Sequence, residues 1–405
     1  MKIAMMTNNY KPFVAGVPIS VERLTGGLRK LGHQVVVFAP SYDGQEEEKD
    51  VVRYGALLKG VAGGFSVPNH FDPVIEKNFR EGNFDLIHVH HPMMIGDTAR
   101  YLSWKYKVPL VYTYHTRYEQ YLHYIGLSGL KGVMPVYLRS RLKHCSLVIA
   151  PTPAIRDYLE GIQIGAPVEV LPTGLSEDSF RPEENRAAYL RERFCEGRNY
   201  LFCTVARLAK EKNLEFLIES LWLYKQTAGP CFKLLLIGDG PYRGKLIERV
   251  RELGMESEIV FVGQVPNEEI KNYCRASDLF LFTSRSETQG IVLLEAMAAK
   301  TPVLALKATG TEDIVVNGEN GYMTCVSEGG QEERREDERI FAGKLMDILE
   351  KKELSFLRQG AYKSACRYQC SQIARRAESY YRSALWAYGE KKSRFSRNRL
   401  ADVIY

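Results

Sequence analysis

Glu287 and Glu295 are the first residues in this chain with the makings of a site. Seven residues separate them in the stretch that begins Ser284-Arg-Ser-Glu-Thr-Gln-Gly-Ile-Val-Leu-Leu-Glu-Ala-Met. A carboxylate can grip a pair of sugar hydroxyls, but two of them would repel a bare phosphate. Two cations, Arg207 and Lys212, stand in Arg-Leu-Ala-Lys-Glu-Lys-Asn. Arg207 can hold a diphosphate through its planar fork and Lys212 as a point charge. The two sets together suit a ligand that carries both phosphate and sugar. A third candidate is His115, in Thr113-Tyr114-His115-Thr116, because imidazole titrates near neutrality and suits polar or proton-shuttling work. From residue types alone each feature also has an ordinary reading: a capped helix with solvated carboxylates, a solvated basic loop and a structural histidine.

The elements around these residues place them at strand ends. An apolar strand, 279–283, runs into the first stretch, and Val292, Leu293, Ala296 and Ala299 give a helical period after it. Gly290 sits at the strand-to-helix turn, where free amides and the helix dipole favour an anion or a row of hydroxyls. Strand 200–205 precedes Arg207 and Lys212, and strand 108–114 precedes His115. Near the start, strand 2–6, loop 7–17 with Gly16, a helix opening at Pro18 and strand 34–39 form a β-α-β unit. Such alternation implies a parallel sheet covered by helices, with ligands at the carboxyl ends of its strands. It restarts in the second half with strands at 200–205, 233–237, 259–262 and 301–305.

The stretch from Ser284 resembles the Glu-x7-Glu signature of the retaining nucleotide-sugar glycosyltransferases of family 4, including its Thr-Gln-Gly step and following Glu-Ala-Met-Ala. Other family features recur in order from Met1 to about Tyr388. The resemblance implies the α/β GT-B fold: two facing Rossmann-like doubly wound domains with the active site in the cleft. It implies an N-terminal acceptor domain over 1–173, a C-terminal nucleotide-sugar domain over 174–372, and a final helix with a basic tail over 373–405. It also implies residue roles. Arg207 and Lys212 would hold the donor phosphates, Glu287 would orient the sugar and Glu295 the ribose. His115 matches the active-site histidine, with Tyr114 beside it. Gly16 and Gly238 match loop glycines of the two domains. Val265, in Gly263-Gln-Val-Pro, lies where the family holds the nucleobase by backbone. Thr288, Gln289, Gly290 and Ile291 complete the donor contacts. Retention needs either a carboxylate nucleophile or front-face attack assisted by the leaving phosphate, and both routes stand open.

The run Tyr112 to Ile125 is dense in tyrosine and resembles the same region of bacterial diacylglycerol glucosyltransferases. Tyrosine pairs an apolar body with a polar tip, which suits a glycerolipid headgroup. In 133–143, Met134, Leu138 and Leu142 recur beside Arg139 and Lys143, a pattern shared by membrane-surface helices and by core helices with a basic edge. The expected reaction is transfer of glucose from a UDP-sugar to diacylglycerol. A phosphatidylinositol mannosyltransferase or a polysaccharide glycosyltransferase would share the donor motifs. A sugar-nucleotide epimerase ordinarily lacks the Glu-x7-Glu stretch, and a non-catalytic binder would have lost some of these residues.

Composition bounds the remaining classes. At 405 residues the chain is long enough for two cores, and its 45% hydrophobic and 26% charged content is that of a globular protein. Eight cysteines show no Cys-x-x-Cys and no zinc spacing, so they read as reduced thiols. His88, His90 and His91 lack a carboxylate spaced to complete a metal site. Glu336-Asp337-Glu338 has an acid-x-acid outline but reads as part of a surface loop, 328–338. Neither metal nor other cofactor is therefore expected. No apolar run approaches the ~20 residues of a membrane span. Met1 leads directly into a strand, so no signal peptide is expected. The net charge of +6 fits an anionic membrane surface or phosphorylated substrates and does not indicate nucleic acid. These features describe a cytoplasmic protein, peripheral on the inner face of the membrane. Segment 59–71 reads as a mobile loop, and 391–405 as a mobile basic tail.

Overall fold

Short apolar runs of four to seven residues, bounded by polar turns, fold as buried parallel strands in the computed structural model of the chain. It describes residues 1–13, 15–45, 47–61, 65–115, 132–285, 287, 289–327 and 330–401. The chain divides into two units, Met1–Gly174 with Cys370–Tyr405, and Leu175–Gln369.

Unit 1 opens with β1 (Lys2–Met6), α1 (Gly16–Lys30) and β2 (Gln34–Pro40). The helix starts at Gly16 rather than Pro18, and Pro18 falls within the first turn, where its missing N–H costs no helical hydrogen bond. Next come β3 (Val51–Tyr54), β4 (Ala56–Val61), β5 (Phe65–Pro68) and α2 (Pro73–Gly82). The expectation of a mobile loop over 59–71 is corrected here. β4 and β5 form an antiparallel hairpin with Ala56 opposite Pro68 and Leu58 opposite Val67. Its adjacent Leu57 and Leu58 are both exposed, so no alternating pattern marked the strand. Asp72 then caps α2 by accepting from the Val74 amide at 2.9 Å.

The unit continues through β6 (Leu86–Val89), α3 (Ile95–Tyr106), β7 (Leu110–Thr113), α4 (Met134–Leu142), β8 (Leu147–Ala150), α5 (Pro153–Gly161) and β9 (Val168–Val170). The sheet runs β3-β2-β1-β6-β7-β8-β9, all parallel. Strand order reverses at β1 and β6, the position where doubly wound sheets bind ligands. In α4, Leu138 and Leu142 are buried in the core and Met134 packs against it. Of the two readings of this stripe, a membrane-surface helix or a core helix with a basic edge, its apolar residues follow the second. The outward face carries Val133, Val136, Arg139 and Lys143, all exposed.

Unit 2 begins with a short 3-10 turn and α6 (Glu184–Cys195), then β10 (Tyr200–Val205), α7 (Leu214–Ala228), β11 (Phe232–Ile237), α8 (Arg243–Glu252) and β12 (Ile259–Gly263). It continues with α9 (Ile270–Ala276), β13 (Leu279–Phe282), α10 (Ile291–Ala298), β14 (Val303–Leu306), β15 (Gly321–Thr324), α11 (Gln331–Glu350) and α12 (Leu354–Cys366). Its sheet runs β12-β11-β10-β13-β14-β15, and the order reverses at β10 and β13. The charged segment 328–338, read as a surface loop, belongs to α11 from Gln331 onward. Asp337 is buried there and accepts from the Ser327 amide at 2.8 Å and the Ser327 hydroxyl at 3.1 Å.

The last helix, α13 (Cys370–Ala401), groups with unit 1. Ile373, Ala377, Tyr381 and Ala384 fall on its inner face and share a core with Val21 and Leu28 of α1, which is the 3.6-residue period made physical. The stretch expected as a mobile tail continues this helix to Ala401.

Candidate active site

In unit 2 the candidate residues gather at the strand ends where the order reverses. β10 delivers Arg207 and Lys212, and its neighbour β13 delivers Glu287. Lys212 Nζ donates to Glu287 Oε1 at 2.5 Å, with the two side chains 21% and 19% exposed. The Ser284 hydroxyl donates to the same oxygen at 3.0 Å. Thr283 Oγ1 lies 3.2 Å from the Lys212 carbonyl and 3.1 Å from that of Asn213, so the two strand-end loops are laced together. A cation and a carboxylate in contact, largely out of water, can each exchange this partner for an incoming phosphate or hydroxyl.

Gly290 adopts φ +67 as the residue before α10. That left-handed conformation lets the chain turn sharply into α10, whose N-terminal end is a favourable place for an anion. A Cβ there would stand 3.2 Å from the Gly310 carbonyl oxygen. Gly310, at φ +86, would in turn place a Cβ 3.1 Å from the Gln289 amide, Glu287 Cβ and the Glu287 carbonyl. The loop after β14 thus lies against the loop that carries Glu287. Sequence reasoning missed Gly310; its signal was the Thr309-Gly310-Thr311 turn directly after a strand. Gln289 is buried, whereas Ile291 and Glu295 are partly buried one turn apart on α10. Thr288 lies outside the described residues.

Arg207 is placed differently from Lys212. Its Nη2 pairs with Glu211 Oε1 at 2.6 Å and its side chain is 64% exposed, so the structure does not join it to the Lys212–Glu287 pair. Gly238 closes the end of β11, donating to the Gly263 carbonyl at 2.8 Å. Val265 packs its side chain on the unit 2 core.

In unit 1, Gly16 is exposed at the start of α1, with open space where a side chain would be. His115 follows β7. Its Nε2 is 2.8 Å from His90 Nδ1, and His90 Nε2 is 2.8 Å from Met5 Sδ. Burial pushes the His115 imidazole down to about 4 and holds His90 well below the ordinary histidine value, so both rings are neutral at physiological pH. His88 lies between the Tyr381 hydroxyl of α13 at 2.7 Å and Thr113 Oγ1 at 2.6 Å. His91 Nδ1 accepts from the Asn8 amide at 3.1 Å. The histidines that prompted a metal question are thus individually partnered. Among the described residues no group of three or more His, Cys, Asp or Glu is placed to hold a metal ion.

Tyr114 needs correction. It is fully buried in the unit 1 core, as is Tyr112, so its ring is packing rather than a ligand contact. The remainder of the tyrosine-rich run, from residue 116 on, lies outside the described residues.

Comparison with known proteins identifies the family. A family model described as Glycosyltransferase Family 4 matches residues 14–179, and one described as Glycosyl transferases group 1 matches 187–331. An alpha-monoglucosyldiacylglycerol synthase of Streptococcus pneumoniae is 30% identical over 324 residues, covering 75% of this chain and 71% of that one. A GDP-mannose-dependent alpha-mannosyltransferase of Corynebacterium glutamicum is 25% identical over 336 residues, 80% of this chain and 77% of that one. Among solved structures, Anabaena HepE in complex with UDP superposes with a TM-score of 0.72 at 21% identity, covering 95% of this chain and all of that one; this likeness speaks to the fold. The chain belongs to glycosyltransferase family 4 and is a hexosyltransferase of the GT-B fold.

Proposed function

We propose that the protein transfers glucose from UDP-glucose to the hydroxyl of diacylglycerol with retention, giving an α-glucosyl glycerolipid. The observation that carries the donor half is the Lys212–Glu287 pair, 2.5 Å apart, at the strand-order reversal of unit 2. On donor binding Lys212 exchanges Glu287 for a diphosphate oxygen, and the released carboxylate takes sugar hydroxyls. Arg207, exposed on the same loop, leaves its partner Glu211 to add a second cation. The α10 amides beside Gly290 supply further donors, and Glu295 takes the ribose. Stabilising the departing diphosphate is the largest demand of such a reaction, and these groups meet it without a metal. His115, in unit 1, serves the attacking hydroxyl.

The acceptor half is supported by the similarity to a monoglucosyldiacylglycerol synthase. It is also supported by the outward face of α4, where Val133 and Val136 stand beside Arg139 and Lys143. Among the described residues no helix is long and apolar enough to cross a membrane. We therefore propose peripheral attachment to an anionic surface on the cytoplasmic side. The mannosyltransferase relative supports a second reading, in which GDP-mannose is the donor. Incubation with labelled UDP-glucose, UDP-galactose or GDP-mannose, with and without diacylglycerol vesicles, separates the two. Label entering the lipid phase only from UDP-glucose and only with vesicles is the expected result. Label from GDP-mannose alone would replace this reading with the second.

A further inference from the structure

Four atoms in line decide how His115 can hydrogen-bond. His90 is 1% exposed and neutral, so it carries one ring proton. Its Nε2 faces Met5 Sδ at 2.8 Å and its Nδ1 faces His115 Nε2 at 2.8 Å. A thioether sulfur only accepts. Had His90 carried its proton on Nδ1, the Nε2 lone pair would point at the sulfur lone pairs inside a dry core, where an unmatched polar contact is costly. The proton therefore sits on Nε2 and is donated to Met5. His90 Nδ1 is then an acceptor, and His115 must present its own proton on Nε2. The remaining nitrogen of a neutral His115 is Nδ1, which makes no hydrogen bond with the described residues. The rings of His90 and His115 lie nearly coplanar, with centroids 5.1 Å apart and planes 25° from parallel, the arrangement of an in-plane hydrogen bond between ring nitrogens.

We infer that Met5 and His90 lock His115 in the Nε2–H tautomer, so that His115 meets a substrate hydroxyl through Nδ1 as a hydrogen-bond acceptor. Met5 and His90 are positioning residues, acting through His115. The inference rests on the reading of His115 as a site residue for its consequence, though not for the tautomer itself. Met5 lies on β1 and His90 at the end of β6, the two strands at the order reversal of unit 1, so the fold brings sulfur and ring together without any local sequence signal.

The full chain labelled with 15N-histidine, assigned by single histidine variants and read by long-range proton–nitrogen correlation at neutral pH, tests this directly. His90 and His115 should both appear as Nε2–H tautomers in the parent. In His90→Leu, His115 should become a mixture of tautomers, and kcat should fall about tenfold, the size of one hydrogen bond. In His90→Asn, whose side-chain oxygen can stand where Nδ1 stood, the Nε2–H tautomer and most of kcat should return. Met5→Leu, which keeps the core volume, should release the His90 proton to either nitrogen. An Nδ1–H tautomer of His115 in the parent would overturn the inference, and that spectrum needs no variant to fold. An unchanged His115 tautomer in His90→Leu would overturn it as well. If the tautomers are as stated but His115→Ala turns over like the parent, the lock stands, while its role and the placement of His115 in the site both fall.

Discussion

Replacing Lys212 with alanine separates a catalytic role from a structural one. In the structure its Nζ touches Glu287 Oε1 at 2.5 Å, and each side chain keeps about a fifth of its exposure. A charged hydrogen bond is worth about 1.5–3 kcal/mol when buried and at most about 1 when exposed. At this exposure, removing Lys212 should cost about 1–2 kcal/mol of stability, a Tm loss of a few degrees for a unit of this size. The catalytic effect is larger. One donor removed from the departing diphosphate lowers turnover by about 10²-fold, close to 3 kcal/mol. Glu287, keeping among the described residues the Ser284 hydroxyl at 3.0 Å, would also stand without a cation beside that diphosphate, which pushes the loss above this figure. Because the pair acts as a unit, Glu287→Gln added to Lys212→Ala should cost less than the sum of the single losses. Calorimetry and labelled-sugar transfer on the same preparations measure both terms. A folded Lys212→Ala protein with turnover within about twofold of the parent would show that the cation makes no transition-state contact.

Three further outcomes are expected. Turnover should persist after complete chelation of divalent ions, measured by sugar transfer; strict restoration by manganese or magnesium would require a metal in the site. Arg139→Ser with Lys143→Ser should weaken binding to anionic vesicles by about 2 kcal/mol at most, since each basic residue near such a surface adds about 1; Arg141 is left in place because it pairs with Asp97 at 2.7 Å, and vesicle sedimentation indistinguishable from the parent would leave that face without a lipid role. Burial holds His88 and His91 down to about 3 and His90 well below its ordinary value, so their contribution is present above the unfolded value and is lost as pH falls from there toward the folded values. By pH 5.5 each should have removed on the order of 1 kcal/mol from unit 1, and urea midpoints flat between pH 7 and 5.5 would contradict neutral burial.

The strands, the helix after Gly290 and the loop position of Glu287 could be read locally, because each depends on short apolar runs and turn residues. The contact between Lys212 and Glu287 could not. They are 75 positions apart and meet only because β10 pairs with β13, a consequence of topology rather than spacing. Gly310 was missed for the same reason, since its role is to fit beneath a loop that arrives from another strand. Tyr114 was misread because alternation along β7 and the residue after it points that ring into the core, while the run's composition pointed to a lipid. The hairpin at 56–68 hid behind two adjacent exposed leucines, and the start of α11 behind a charged stretch whose Asp337 turns inward to Ser327.

The account turns on what is made from which donor. Product isolated after incubation with UDP-glucose and diacylglycerol vesicles, and read by the proton coupling at its anomeric carbon, is the most direct measurement. Glucosyl diacylglycerol with the α configuration, released together with UDP, is the result the account predicts. A β-linked product, or glucose freed into water with the lipid unchanged, would contradict it.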